Sequence, residues 1–443
     1  MTVTDPYRLT AGEAAAAMAQ GTLTAVDLLT GLLARIEARE PAVRAWLHVD
    51  RAGAMAEAKR LDAERAAGKV RGPLHGIPIG IKDVIDVAGM PGTHNSPLHE
   101  GRVPVDDAGC VALMRAAGAI PLGKLDTVEF AALGRLPKTV NPHRLTHTAG
   151  GSSSGSGAAV GDLHVPISFG TQTGGSVMRP ASYCGTYAMK PTWGVVSREG
   201  AKLFAASLDT IGWYARSVED LRLVAAASGI AEETGTARDV SSLRIALCHT
   251  PYADKARDGA LDVLTRATEA LKSAGATVDR LELPASFAEI DDAKDTIMRG
   301  EGRAAFLPSL LTRGDALHDT LRGIAEYRTG ITPMTLKAAQ DYAAHLRVAY
   351  EGHYRGFDAV LTFGATGEAD AGLESTGNSV FNSLWTLLHL PVVGVPAGDG
   401  PTGLPIGVQF VGFRHGDDAL LDVAAAAAPV VDPWCGKVRV PAG

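Results

Sequence analysis

Two short stretches rich in glycine and hydroxyl side chains lie close together in this chain, and a lysine precedes them. The first, His147-Thr-Ala-Gly-Gly-Ser-Ser-Ser-Gly-Ser-Gly-Ala-Ala-Val160, passes from a turn composition into small helix formers. Such a junction presents backbone N–H groups and several hydroxyls at a helix start. A flexible linker is the bland reading, and strand and helix signals on both sides oppose it. A phosphate cradle would need the Gly-Lys-Ser/Thr ending of the nucleotide-binding loop, which is missing. A nucleophile loop is the third reading, because Gly151-Ser-Ser-Ser-Gly155 satisfies G-x-S-x-G, the elbow pattern of α/β-hydrolases. On that reading Ser153 attacks, and a late histidine, His389 or His415, is its base. The second stretch, Gly170-Thr-Gln-Thr-Gly-Gly-Ser-Val-Met-Arg-Pro180, follows one short strand later.

The two loops, together with Lys82 in Gly76-Ile-Pro-Ile-Gly-Ile-Lys-Asp83, resemble the amidase signature family. The resemblance extends along nearly the whole chain. Leu74-His-Gly-Ile-Pro78 matches the approach to the lysine, and Ala117-Gly-Ala119, Gly123-Lys124 and Glu129-Phe130 match the strand and helix that follow. Tyr183-Cys-Gly185, Lys190-Pro-Thr192-Trp-Gly194, Ala215-Arg-Ser-Val-Glu-Asp220 and Gly403-Leu-Pro-Ile-Gly-Val-Gln409 are later landmarks in the family's order. The resemblance implies a Ser–cis-Ser–Lys triad, with Ser176 as nucleophile, Ser152 as bridging serine and Lys82 as base. It also implies an oxyanion hole from the backbone amides of Thr173, Gly174, Gly175 and Ser176. Arg179, Gly151 and Gln172, beside the two serines, are the candidates for binding substrate. The expected reaction is cleavage of the carbon–nitrogen bond of a small linear amide through an acyl-enzyme, without metal or cofactor.

The residue types suit that chemistry. An amide carbonyl is a weak electrophile and its amine leaves only when protonated, so the nucleophile needs a base that can return the proton. A lysine is a base only when neutral. Bringing it from a reference pKa of ~10.4 to ~8 requires roughly 3.3 kcal/mol of differential destabilisation of the ammonium, which burial among Ile77, Ile79 and Ile81 would supply. Glycines 174 and 175 leave their N–H groups free to face a developing oxyanion. Ser153, Ser154 and Ser156 are expected to be hydrogen-bonders within the loop.

Departures from the family pattern narrow the substrate. Gln172 stands where Asp is usual, Met178 where many members carry Arg, Ser154 where Gly is usual, Phe363 for a usual Pro and His389 where Gly is common. None touches the triad. The first two make a glutaminase subunit of an amidotransferase the lesser expectation, and favour a stand-alone hydrolase of small amides, extending to carbamates, ureas or esters on the same triad. Arg179 has two readings, a guanidinium paired within the scaffold or a fork for a substrate carboxylate. The rivals from other classes are the Ser153 esterase and a non-catalytic scaffold.

Around these residues the chain alternates helix and strand signals, which predicts an α/β fold with a large mixed central β-sheet flanked by α-helices. Residues 1–443 are expected to form a single domain: a helical segment over 1–70, the signature core over 72–220, and the second part of the sheet with helical insertions over 221–443. Leu28, Leu29, Leu32, Leu33 and Ile36 share one helical face, with Thr24 as N-cap, Asp27 three residues on and a stop at Glu40-Pro41. Ala54 to Ala67 is a second helix. Strands are expected at Ile77–Ile81, Ala119–Gly123, Val165–Phe169, Leu243–Leu247, Phe357–Thr362, Val392–Val395 and Ile406–Phe410. Helices are expected at Val111–Ala117 and Gly259–Ser273 and over most of 287–355.

Composition sets the outer bounds. The chain of 443 residues is 46% hydrophobic and 21% charged, enough to fill a large core and too little charge for disorder. A formal charge of −7 argues against a phosphate-neutralising surface, so no nucleic-acid partner is expected. No apolar run reaches the ~20 residues of a membrane span. The sequence from Met1 to Leu9 lacks a signal-peptide pattern. Cys110, Cys184, Cys248 and Cys435 have no metal-ligand spacing, and His143 and His147, four apart in a loop, lack a third ligand. A cytoplasmic enzyme with free thiols is expected, its partners a small amide and water, with a homodimer left open.

Overall fold

The computed structural model describes residues 4–257 and 259–441; Met1 to Val3, at the start of the helical amino-terminal segment, and Ala442 and Gly443 lie outside the described residues. Among the described residues thirteen strands are present: β1 (Trp46–Val49), β2 (Pro78–Lys82), β3 (Ile120–Leu125), β4 (Val140–Asn141), β5 (Arg144–Thr148), β6 (Ile167–Gln172), β7 (Tyr187–Lys190), β8 (Thr210–Ala215), β9 (Arg244–Leu247), β10 (Thr277–Arg280), β11 (Ala359–Phe363), β12 (Val392–Asp399) and β13 (Pro405–Val411). All but the β4–β5 hairpin join one 11-stranded sheet in the order β1-β3-β2-β6-β8-β7-β12-β13-β11-β9-β10. The fold is α/β, a mixed sheet with helices on its faces, and one apolar core runs through it from Ala11 to Val431.

Near the amino terminus local chemistry sets the helix limits. Thr24 Oγ accepts the Asp27 N–H at 3.0 Å and the Asp27 carboxylate accepts the Thr24 N–H at 3.2 Å, a reciprocal cap that opens helix Ala25–Val43. The expected stop at Pro41 is overrun, and Pro41 lies inside the helix. Its end is closed around Glu40 instead, whose carbonyl accepts the Arg44 N–H at 2.9 Å and whose carboxylate accepts the Ala45 and Trp46 N–H groups at 2.9 and 2.8 Å. That turn launches β1, a strand inside a segment expected to be wholly helical. Four residues are too few for a period to register, and β1 is fixed by pairing antiparallel with β3. His147, expected in a loop, lies on β5.

The central strands matter most for the site. β2 is buried at every residue and lies between β3 and β6, parallel to both. The register sets Ile81 opposite Phe169 and Lys82 opposite Leu125, so β2 and β6 end at the same side of the sheet. Carboxyl ends of neighbouring parallel strands bring their following loops together. β8 runs antiparallel to β6, with Gln172 opposite Thr210, which places Asp209 beside the first residue after β6. The expected strands are all present, with some ends displaced by a few residues; β12 runs furthest past its expected end, from Val395 to Asp399. Three helices, Ile290–Arg313, Asp319–Ala325 and Pro333–Tyr354, pack on one another as an insertion, and Phe306 from the first stacks near Phe130 and Phe204 at 5.7 and 5.4 Å.

Candidate active site

Lys82 is the last residue of β2 and is wholly buried. Its Nζ lies 2.8 Å from Ser152 Oγ, 2.7 Å from Thr171 Oγ and 3.4 Å from the Thr171 carbonyl oxygen. Among the described residues no carboxylate comes within ion-pair distance. Burial therefore pushes the Lys82 ammonium well below the ordinary lysine range, and the charge of Asp209 opposes the shift. A neutral amine carries two N–H groups and one lone pair. In that form, with both N–H groups on Thr171, the lone pair would face the Ser152 hydroxyl.

Two other lysines are equally buried and differ in their partners. Lys124 Nζ sits 2.9 Å from an Asp83 carboxylate oxygen. Lys190, which burial lowers to about 7, donates to the carbonyls of Pro191 and Leu390 at 2.8 and 2.5 Å. Only Lys82, among the three, touches a serine hydroxyl.

The first Gly/Ser loop is fastened from below. The Gly151–Ser152 peptide is cis. Ser153 Oγ donates to the Thr171 carbonyl at 3.1 Å and accepts the Thr171 N–H at 3.2 Å. Ser154 Oγ donates to Gly150 O at 2.5 Å and Ser156 Oγ to Phe169 O at 2.8 Å. The three serines thus pair with main chain, as expected, although Ser154 and Ser156 sit in a helix rather than in the loop. Helix Ser154–Gly161 follows, and its second residue must be glycine because a Cβ on Gly155 would lie 2.3 Å from Ala45 O. The esterase alternative finds no support here: Ser153 is spent on β6, while His389 stacks on Trp193 and contacts Ser207 O at 2.8 Å.

The second loop is shaped from three sides. Gln172 Oε1 accepts the Val177 and Met178 N–H groups at 2.8 and 3.1 Å, and its Nε2 donates to Thr386 Oγ at 3.0 Å. Thr386 in turn donates to Gly174 O at 2.7 Å. Thr173 Oγ donates to Asp209 at 2.5 Å, and the Tyr214 hydroxyl donates to Ser176 O at 3.1 Å. Gly175 cannot carry a side chain, since its Cβ would lie 2.4 Å from Asn382 Oδ1. Among the described residues, the N–H groups of Thr173, Gly174, Gly175 and Ser176 have no acceptor. They form a run of open donors beside a half-buried Ser176, an arrangement able to receive negative charge. Ser176 Oγ makes no hydrogen bond to Ser152 or Lys82, so among these three side chains only Lys82 and Ser152 are in contact.

Arg179 lies in the first turn of helix Met178–Cys184. Its Nη2 donates to Gly151 O at 2.6 Å and its Nε to Thr376 O at 2.6 Å, while Nη1 is buried without a partner among the described residues. Most of the fork expected to meet substrate is thus engaged with main-chain carbonyls. Gln172, another expected substrate contact, is likewise committed at both ends of its amide. Gly151 faces Thr376, whose methyl would be 2.7 Å from a Cβ there.

Sequence reasoning missed Thr171, Asp209, Thr376 and Thr386. Thr171 lies just past Lys82 in the β2–β6 register, a pairing that only the structure shows. The others come from distant segments and carried no local signal. His143 contacts Cys184 O at 3.0 Å and burial lowers its pKa to about 4. Among the described residues no group of His, Cys, Asp or Glu is arranged to hold a metal ion, and no helix is long and apolar enough to cross a membrane.

Known proteins share this architecture. The chain is 34% identical to a glutamyl-tRNA(Gln) amidotransferase subunit of Roseiflexus castenholzii, over 97% of both chains. Peptide amidase from Stenotrophomonas maltophilia superposes with a TM-score of 0.84 at 28% identity, over 98% of each chain. The corresponding amidotransferase subunit from Thermotoga maritima gives a TM-score of 0.80 at 26% identity, covering 100% of this chain and 99% of that one. The Amidase family matches residues 27–421, nearly the full length over which the sheet and both loops are built, and the chain belongs to that family.

Proposed function

We propose that this protein hydrolyses the carbon–nitrogen bond of small linear amides through an acyl-enzyme on Ser176. The observation that carries the reading is a buried lysine, shifted toward the neutral amine, 2.8 Å from Ser152 Oγ. Neutral Lys82 takes the Ser152 proton as Ser152 takes that of Ser176, and the Ser176 oxygen attacks the amide carbon. The N–H groups from Thr173 to Ser176 receive the oxyanion. Collapse breaks the C–N bond while the proton returns through Ser152 to the departing nitrogen, so an amine leaves and an ester remains on Ser176. Water repeats the sequence and releases the carboxylic acid. Arg179 and Gln172 act as positioning residues, one holding the peptide before Ser152 and the other the turn before helix Met178–Cys184.

A fluorophosphonate probe with peptide mapping tests this directly. Label on Ser176 supports it, label on Ser153 supports the esterase, and no label supports a scaffold. A second reading is favoured by the amidotransferase relatives: the chain as a glutaminase subunit. That reading requires glutamine to be the preferred amide and turnover to rise when partner proteins are added, whereas a stand-alone hydrolase turns over simple amides alone.

A further inference from the structure

β8 leaves the candidate active site at Thr210, opposite Gln172, and its other end, at Ala215, enters the wall of a cavity of about 450 Å³. Small-molecule sites run from ~300 to ~1,000 Å³, and neither Ser176 nor Lys82 lines this one. Helix Ala11–Ala19, the start of helix Val218–Ala227, the end of helix Asp417–Val431 and residues 434–439 close round it. Its walls are largely apolar, with Val160, Leu163, Val218 and Trp434 among them.

The charged groups in the wall are unequally engaged. Asp220 accepts the Ala11 and Gly12 N–H groups at 3.0 and 2.8 Å, and Glu13 accepts the Thr10 N–H at 2.8 Å. Asp432 accepts the Tyr187 hydroxyl at 2.5 Å and the Trp434 N–H at 2.8 Å. Arg439 donates to Asp399 at 2.7 Å and lies over the Trp434 ring at 4.3 Å. At the rim, exposed Glu219 and Lys437 offset one another in charge. Arg216 differs from all of these. Its Nη1 donates to the carbonyls of Tyr7 and Leu9 at 2.6 and 2.7 Å, while Nε and Nη2 are buried without a hydrogen-bond partner among the described residues. Among those residues no carboxylate comes within ion-pair distance of it. Burial lowers its pKa only to about 10, with Asp220 and Glu13 opposing the shift, so the charge persists at neutral pH.

We propose that this cavity is a second ligand site, which takes an apolar molecule bearing one carboxylate, its tail along the apolar wall and its head on Arg216. Nε–H and one Nη2–H run parallel along a single edge of the guanidinium, the pair of donors that matches the two oxygens of a carboxylate. An alcohol brings one acceptor to that edge and an ammonium brings none. The site is independent of the hydrolase reading above, since it shares no residue with the two loops.

The test compares octanoate with octanol and octylammonium by calorimetry, on untreated protein and on protein blocked with the fluorophosphonate probe. Octanoate should bind about tenfold tighter than octanol, equally in both preparations, with octylammonium the weakest. Arg216→Met should abolish that preference, and Arg216→Lys should weaken it, because the charge survives and the parallel pair does not. Arg216→Met also gives up two carbonyl contacts, so a second variant leaves Arg216 in place. Ala425→Phe fills the cavity from helix Asp417–Val431 and should abolish octanoate binding with amide turnover unchanged. Octanoate should also slow hydrogen exchange in residues 434–439. Equal binding of octanoate and octanol, or octanoate binding that survives Ala425→Phe, overturns the site. Binding lost on fluorophosphonate treatment places octanoate at Ser176 and overturns it as well. Absence of amide turnover overturns the hydrolase reading alone, because binding to untreated protein is read without it.

Discussion

A buried lysine whose ammonium is disfavoured weakens the fold that holds it, because the unfolded chain takes up a proton more readily than the native state does. The folded pKa of Lys82 lies well below its unfolded value near 10.5. Between those two values the unfolded state binds the extra proton, so this residue's contribution makes stability rise with pH until the unfolded lysine also loses its charge. Lys82→Met should therefore abolish amide turnover yet hold or raise Tm at neutral pH, by about 1–3 °C, and flatten the alkaline rise. A Tm falling by many degrees would show that the hydrogen bonds of Lys82 to Ser152 and Thr171 outweigh the penalty of its burial. The same protonation governs rate: kcat/KM should drop on acidification as Lys82 acquires its proton. Ser176→Ala should abolish turnover of every substrate. Lys82→Ala should lower amide turnover far more than turnover of esters with phenolate leaving groups, which depart without a proton; equal losses would remove Lys82 from the relay.

Elements, more than single side chains, hold the two loops in place. Gln172 closes the amino end of helix Met178–Cys184 by accepting two N–H groups, and Gln172→Leu would leave both unpaired at a cost of about 1–3 kcal/mol each. The expected outcome is a lower Tm together with a kcat reduced about tenfold or more, because the open amides of residues 173 to 176 shift. A fall in Tm alone would confine Gln172 to stability. In the first turn of helix Val218–Ala227, which follows β8, Asp220 accepts the Ala11 and Gly12 N–H groups at 3.0 and 2.8 Å, docking helix Ala11–Ala19. Asp220→Ala should speed hydrogen exchange in residues 11–19 ahead of the rest of the molecule, with turnover at 25 °C little changed.

At the scale of the molecule, the sequence announced what periodicity and turn chemistry can announce. Residues 24–36 declared their helix because capping and an apolar face are local, and the buried strands declared themselves as apolar runs between glycines. β1 and the passage through Pro41 went unseen, since a four-residue strand is decided by its partner β3 and that helix end by the Glu40 carboxylate. In the candidate site, Lys82, Ser152 and Ser176 were expected from the family resemblance that their motifs carry. What surrounds them was not, for Thr376, Thr386 and Asp209 reach the loops by tertiary packing alone. Dialysis against a chelator should leave turnover intact, which would accord with a reaction run by side chains and backbone.

The double grip of Arg179 bears on how this protein can change. One guanidinium holds both the peptide before Ser152 and the strand-linking segment at Thr376 that faces it. A shift in that segment moves the same guanidinium that steadies the peptide before Ser152. Mutations at Thr376 and Arg179 should then be epistatic: in a double-mutant cycle on kcat their effects should fall short of additivity. On this side of the chain, substrate preference and turnover would then change together rather than separately.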